Sequence, residues 1–138
     1  MAYKIIGLLV LSVVFSTVSI ADENCRETAL SFDTTAPDAG SLNFEDNDKW
    51  TPKASDFELI NYYTMSNACG ERWALISVRN VTPGTSSFSG ENIVALMADG
   101  SKRQGSAEKR IEGRTTESFT ISFGTSKVPI VKLLVNTK

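Results

Sequence analysis

After residue 22 no stretch of this sequence keeps apolar residues at helical spacing for three turns, and that limits the fold more than any other feature. What recurs instead is a period of two. In 116–123, Phe119, Ile121 and Phe123 alternate with Ser118, Thr120 and Ser122, which sends an apolar row toward a core and a polar row toward water. The segment 73–81 also alternates, with Trp73, Leu75 and Ser77 on one face and Ala74, Ile76 and Val78 on or near the other. Segments 57–65, 93–98 and 128–135 are rich in branched and aromatic residues, the last with Pro129 at its start, where a missing N–H does least harm. Shorter strands are expected at 28–33 and 41–44, on either side of Ala36-Pro37-Asp38-Ala39-Gly40. Asp99-Gly100 is the strongest hairpin signal and makes 102–111 the polar return strand. Thr82-Pro83-Gly84 and Gly124 read as stops, and helix is expected only as a turn around 53–56. About eight short strands with turns between them predict one all-β domain, an antiparallel β-sandwich of about seven to eight strands, with a small β-barrel as the alternative.

The first 21 residues stand apart from this pattern. Residues 5–15 form an apolar run behind a single cation, Lys4, and Ser19-Ile20-Ala21 fits the small-residue pattern of a signal peptidase site. The order predicts a secretory signal over 1–21 and a single mature domain over 22–138. The apolar run is about half the length of a membrane span. Lys4 is the only charged residue in the signal, so the chain's net charge of −2 becomes −3 on its removal. Mild acidity argues against a nucleic-acid binder, and a chain with no histidine lacks the commonest general base and metal ligand.

The cysteines are Cys25 and Cys69. In an exported chain two such residues most simply form one disulfide, closing a loop of about 45 residues. Two thiols without histidine do not make a zinc site, and 44 positions of separation is not the spacing of a redox pair. Asp22-Glu23-Asn24 before Cys25 is too polar for a lipid-modified cysteine, so the product is expected to be soluble, with no membrane span in the mature chain.

The order of residues over roughly 73–136 resembles bacterial extracytoplasmic immunoglobulin-like domains, telokin-like domains among them. Ile76-Ser77-Val78-Arg79-Asn80 ends a strand, and Ala95-Leu96-Met97-Ala98-Asp99-Gly100 leads into a hairpin. Ile111-Glu112-Gly113, Ile121-Ser122-Phe123-Gly124 and Pro129-Ile130 follow in the same order. Every residue in it is a turn former or an alternating core position. The resemblance therefore implies an immunoglobulin-like sandwich and carries no catalytic residue.

Other constellations point the same way. Ser106-Ala107-Glu108-Lys109 fits S-x-x-K, but lies in an expected hairpin strand without the partner motifs of that chemistry. Glu45, Asp46 and Asp48 lack the spacing of a calcium loop and read as a solvated acidic loop. Asn80-Val81-Thr82 is a glycosylation sequon weakened by Pro83. No cofactor, metal or catalytic residue is expected. Partner-binding residues are expected among Trp50, Tyr62 and Tyr63, and among Lys102, Arg103, Lys109, Arg110 and Arg114, cations concentrated on one expected hairpin. Trp73 and one of the two tyrosines are expected in the core, since neighbours on a strand point to opposite faces. The function this supports is a non-catalytic module, periplasmic or secreted, that binds a protein partner. The alternatives are an inhibitor or immunity protein using the loops 45–56 or 82–92, and a carbohydrate-binding module built around Trp50.

Overall fold

Alternation decides the architecture. A computed structural model of the chain describes residues 29–34, 42–44 and 51–138, and nine strands lie among them. These are β1 (Ser31–Phe32), β2 (Phe57–Ser66), β3 (Glu71–Asn80), β4 (Ser86–Ser89), β5 (Ile93–Met97), β6 (Lys102–Gln104), β7 (Glu108–Ile111), β8 (Thr116–Thr125) and β9 (Ile130–Val135). They form a four-stranded sheet in the order β1-β2-β3-β8, a pair β4-β7, and a three-stranded sheet β6-β5-β9. All named strand pairs are antiparallel. The sheets are open, and no barrel closes among the described residues. No helix among them is long and apolar enough to cross a membrane.

One core joins the three sheets, which is compatible with a β-sandwich. Ala74, Ile76 and Val78 of β3 and Ile121 and Phe123 of β8 meet Phe88, Ile111, Ile93, Met97, Ile130 and Leu133 from the other two sheets. Phe88 is fully buried and packs edge-on against Phe57 and Phe119, with ring centroids 5.2 and 5.6 Å away. Aromatic pairs prefer this geometry because a positive ring edge meets a negative ring face.

Several expectations fail for local reasons. Segment 102–111 is not one return strand. The chain breaks at Gly105, so that β6 pairs with β5 while β7 crosses to β4. A Cβ on Gly105 would lie 2.4 Å from Ile121 Cδ1 and 2.9 Å from Ile93 Cγ2, so only glycine passes between the sheets there. The loop expected at 82–92 holds β4 and a short 3-10 turn, Gly90–Asn92. Around 53–56 the chain is not helical, and Ser55 makes an isolated parallel bridge to Thr137. Residues 42–44 are irregular rather than a strand, and the first strand is cut to β1 within the described part of 28–33. Gly124 does not stop β8. It sits inside the strand at φ 77° and takes up a register shift against β3.

The hairpin at Asp99-Gly100 forms as expected. The Gly100 N–H donates to the Met97 carbonyl at 3.0 Å, and Gly100 adopts φ 84°, the left-handed conformation that closes a three-residue hairpin loop. The ring of Phe44 packs against Gly100 where a side chain would otherwise project.

Candidate functional site

The two tyrosines separate at a bulge. Leu59 pairs with Val78 and Asn61 with Ser77, leaving Ile60 as an extra residue in β2. Before the bulge Phe57 and Leu59 point inward; after it the inward position passes to Tyr62, which packs against the core. Tyr63 faces out and is 58% exposed. The outer face of the four-stranded sheet then reads in rows. Phe32 lies across from Met65 and Met65 from Trp73; Tyr63 lies across from Leu75. Phe32, 56% exposed, meets the Tyr63 ring edge-on at 6.1 Å and 75°. Trp73 is therefore not a core residue: it is half-buried on this outer face, because its inward neighbours are Ala74 and Ile76. The polar end of the same face carries Asn61, Ser77 and Ser118, the last two hydroxyls 2.7 Å apart.

The cations do not share one hairpin. Lys102 and Arg103 lie on β6 and Lys109 and Arg110 on β7, in different sheets. Lys109 pairs with Glu117 at 3.4 Å and rests its ammonium 6.0 Å from the centre of the Phe119 ring. Arg110 is exposed, and Arg114 occupies a turn at φ 58°. Arg103 faces another group altogether. Its guanidinium donates to the Thr125 carbonyl at 2.5 Å, beside Arg72, which donates through Nε and Nη2 to the Ser126 carbonyl at 3.2 and 3.0 Å and through Nη1 to Ser66 Oγ at 2.7 Å.

These side chains line an open basin of about 770 Å³ at one end of the molecule, where the β2–β3 turn, the β5–β6 hairpin and the β8–β9 turn converge. The Ser126 N–H donates to the Gly70 carbonyl at 2.8 Å and stitches two of the turns together. Asn67 holds the first turn: its Oδ1 accepts from the N–H groups of Cys69 and Glu71, and its Nδ2 donates to Glu71. At the third turn, the hydroxyl and the N–H of Ser101 donate to Asp99 at 2.6 and 3.0 Å. Those bonds hold the Asp99 carboxyl below its usual range, with a weaker pull from Arg103. No alternation or spacing signal marked Arg72 or Lys127, since the basin arises from turns far apart in sequence.

The remaining expectations separate cleanly. Trp50, the acidic group Glu45, Asp46 and Asp48, and Cys25 lie outside the described residues, so the Cys25–Cys69 pairing and the first half of loop 45–56 do as well. Ser106 is held by its N–H to the Ser122 carbonyl and Lys109 by Glu117, so the S-x-x-K residues serve separate strands. Asn80 of the sequon has no exposed surface. Its Nδ2 donates to the carbonyls of Gly84 and Ile111 at 2.8 and 3.0 Å, and its Oδ1 accepts from the N–H and hydroxyl of Thr82. That amide is a structural anchor out of reach of a glycosylating enzyme. Among the described residues no three His, Cys, Asp or Glu side chains come together to hold a metal.

No family model matches the chain, and neither a curated protein nor a solved structure matches it.

Proposed function

We propose that the protein is an exported, non-catalytic immunoglobulin-like module that binds a protein partner in the cell envelope or outside the cell. The observation that carries this reading is the apolar row on the outer face of the four-stranded sheet. The joint core cluster takes the inner face, and on the outer face Met65 is buried while its neighbours stay open. Phe32 and Tyr63 are each more than half exposed, beside Trp73 and Leu75, and exposed aromatics in contiguous rows are the usual anchors of protein interfaces. The angle of 75° between the Phe32 and Tyr63 rings favours a protein over a sugar, because a pyranose stacks on rings that present a common plane. An inhibitor that enters a cleft needs a free loop, and 82–92 is instead tied down by β4 and the buried Phe88.

Export rests on the signal-like segment 1–21, and the immunoglobulin-like type on the residue order over 73–136. A Cys25–Cys69 bridge belongs to the same proposal. β1 runs antiparallel to β2 with Ser31 opposite Ser66, so the chain before Ser31 heads toward the turn that carries Cys69. Envelope extract passed over wild-type protein and over the Phe32→Ser, Tyr63→Ser double variant tests the function. A partner retained by the first, identified by mass spectrometry and bound at least ten-fold more weakly by the purified variant, supports the reading. Equal retention by both, or none by either, removes it.

A further inference from the structure

We propose that the basin at the turn end of the molecule is a second binding site, whose ligand is a short acidic segment of a partner protein. The inference deepens the binding-module reading and rests on it for the partner being a protein; the basin itself stands on its own geometry.

The argument starts with charge. Arg72, Arg103 and Lys127 line the basin against the single carboxylate of Asp99, a surplus of two positive charges in a chain whose net charge is −2. That count already includes Asp99, whose hydrogen bonds run to Ser101 rather than to the cations. Lys127 makes no ion pair among the described residues.

Donor accounting sharpens the case. An arginine carries five N–H donors in a rigid fork. Arg72 spends three, on Ser126 and Ser66, and Arg103 spends one, on Thr125. Two and four donors remain, on guanidiniums already oriented by the carbonyls they hold, and Lys127 adds three more. Donors held in place before binding lose little side-chain entropy when an anion arrives. The fork geometry matches carboxylate oxygens in pairs.

Shape and field select among anions. The cations come from three separate segments, β3, β6 and the β8–β9 turn, so they suit several carboxylates spaced along an extended chain better than one compact ion. Ala68 and Val128 add apolar wall, which a peptide can cover and a bare polyphosphate cannot. A long polyanion also meets the repulsion of a net negative protein, whereas a short segment responds to the local surplus within the Debye length of about 10 Å.

The test is an NMR titration of the oxidised, isotopically labelled protein with a six-residue glutamate peptide, its glutamine counterpart, and inorganic polyphosphate. The expected result is shifts of the amides of Gly70, Arg103 and Ser126 with the glutamate peptide alone. Affinity should fall at least ten-fold in the Arg103→Gln, Lys127→Gln double variant. Both side chains are at the surface, and unchanged spectra elsewhere verify the variant's fold. No shift up to millimolar peptide, shifts centred on Arg110 that the variant leaves intact, or tighter binding of polyphosphate would each overturn the proposal. Retention of the envelope partner by wild type, with loss in the Phe32→Ser, Tyr63→Ser variant, reports on the aromatic face separately. A failed basin therefore leaves the binding-module reading standing, and a failed aromatic face is seen without reference to the basin.

Discussion

Asn80 sits at the end of β3 with no exposed surface, and each of its amide atoms has two partners. It therefore ties the loop that follows to Ile111 of β7, two sheets' worth of chain through one side chain. Asn80→Ala removes the donor to the buried Ile111 carbonyl, a loss of about 1–3 kcal/mol, together with the bonds to Gly84 and Thr82. The expected loss is about 2–4 kcal/mol in urea unfolding, against about 1 kcal/mol for Thr82→Ala, whose hydroxyl is at the surface. Close backbone approach gives a second residue-scale test. A Cβ on Gly90 would fall 1.9 Å from the Gly105 carbonyl oxygen, and backbone yields less readily than a side-chain tip, while Gly84 has nothing within 4 Å. Gly90→Ala should lower the unfolding free energy by an amount on the order of 1–3 kcal/mol, and Gly84→Ala should leave it nearly unchanged. Asp99 supplies the pH dependence. Its carboxyl titrates below the ordinary aspartate range, so its contribution is present above that range and is lost as pH falls through the lower, folded value. Hairpin amides near Ser101 should keep their chemical shifts as pH falls through the range where an ordinary aspartate titrates, and move only below it.

At the scale of strands, the bulge in β2 shows what alternation can and cannot decide. Two adjacent tyrosines must face opposite ways, and that much follows from the pleat. Which one is inside depends on whether an extra residue precedes them, and Ile60, itself 49% exposed, is that residue. Nitration by tetranitromethane should therefore mark Tyr63 well before Tyr62, by at least several-fold in peptide mass spectra; equal labelling would contradict the bulge. The same limit explains Trp73. The alternation of β3 was legible, but its sign was not: the small Ala74 faces the core and the large Trp73 faces out, where Met65 and its strand neighbours cover part of it. β4 was missed for a different reason, since Ser86-Ser87-Phe88-Ser89 carries one apolar residue and reads as loop. Yet Phe88 is among the largest fully buried side chains, held edge-on by Phe57 and Phe119. Phe88→Ala should cost about 3–5 kcal/mol, measured by urea unfolding, as much as losing a residue from an obvious strand.

For the whole molecule, local pattern recovers the strands better than it recovers their company. The class, the hairpin at Gly100 and the final strand were readable because each depends on neighbours in sequence. The basin was not, because Arg72, Arg103 and Lys127 meet only after three turns have been gathered at one end. That gathering is also where Cys69 lies, which gives the proposed bridge a mechanical role. β1 is two residues long and holds to β2 through the pairs Ser31–Ser66 and Phe32–Met65, with an Asp33 N–H bond to the Thr64 carbonyl beyond them. So short an edge strand frays unless something fastens the chain before it. A covalent link to Cys69 would fasten it, and would also keep Phe32 beside Tyr63 on the outer face. A closed loop of about 45 residues is worth about 4 kcal/mol on the chain-entropy model. Reduction should then lower the unfolding free energy by about 2–4 kcal/mol, and it should add the mass of two hydrogens to the intact protein. It should also increase the exchange of the Asp33 amide while leaving amides in β3 and β5 protected. An unchanged mass, or equal stability with and without reductant, would show that the two cysteines are not joined and that β1 is held by its strand contacts alone.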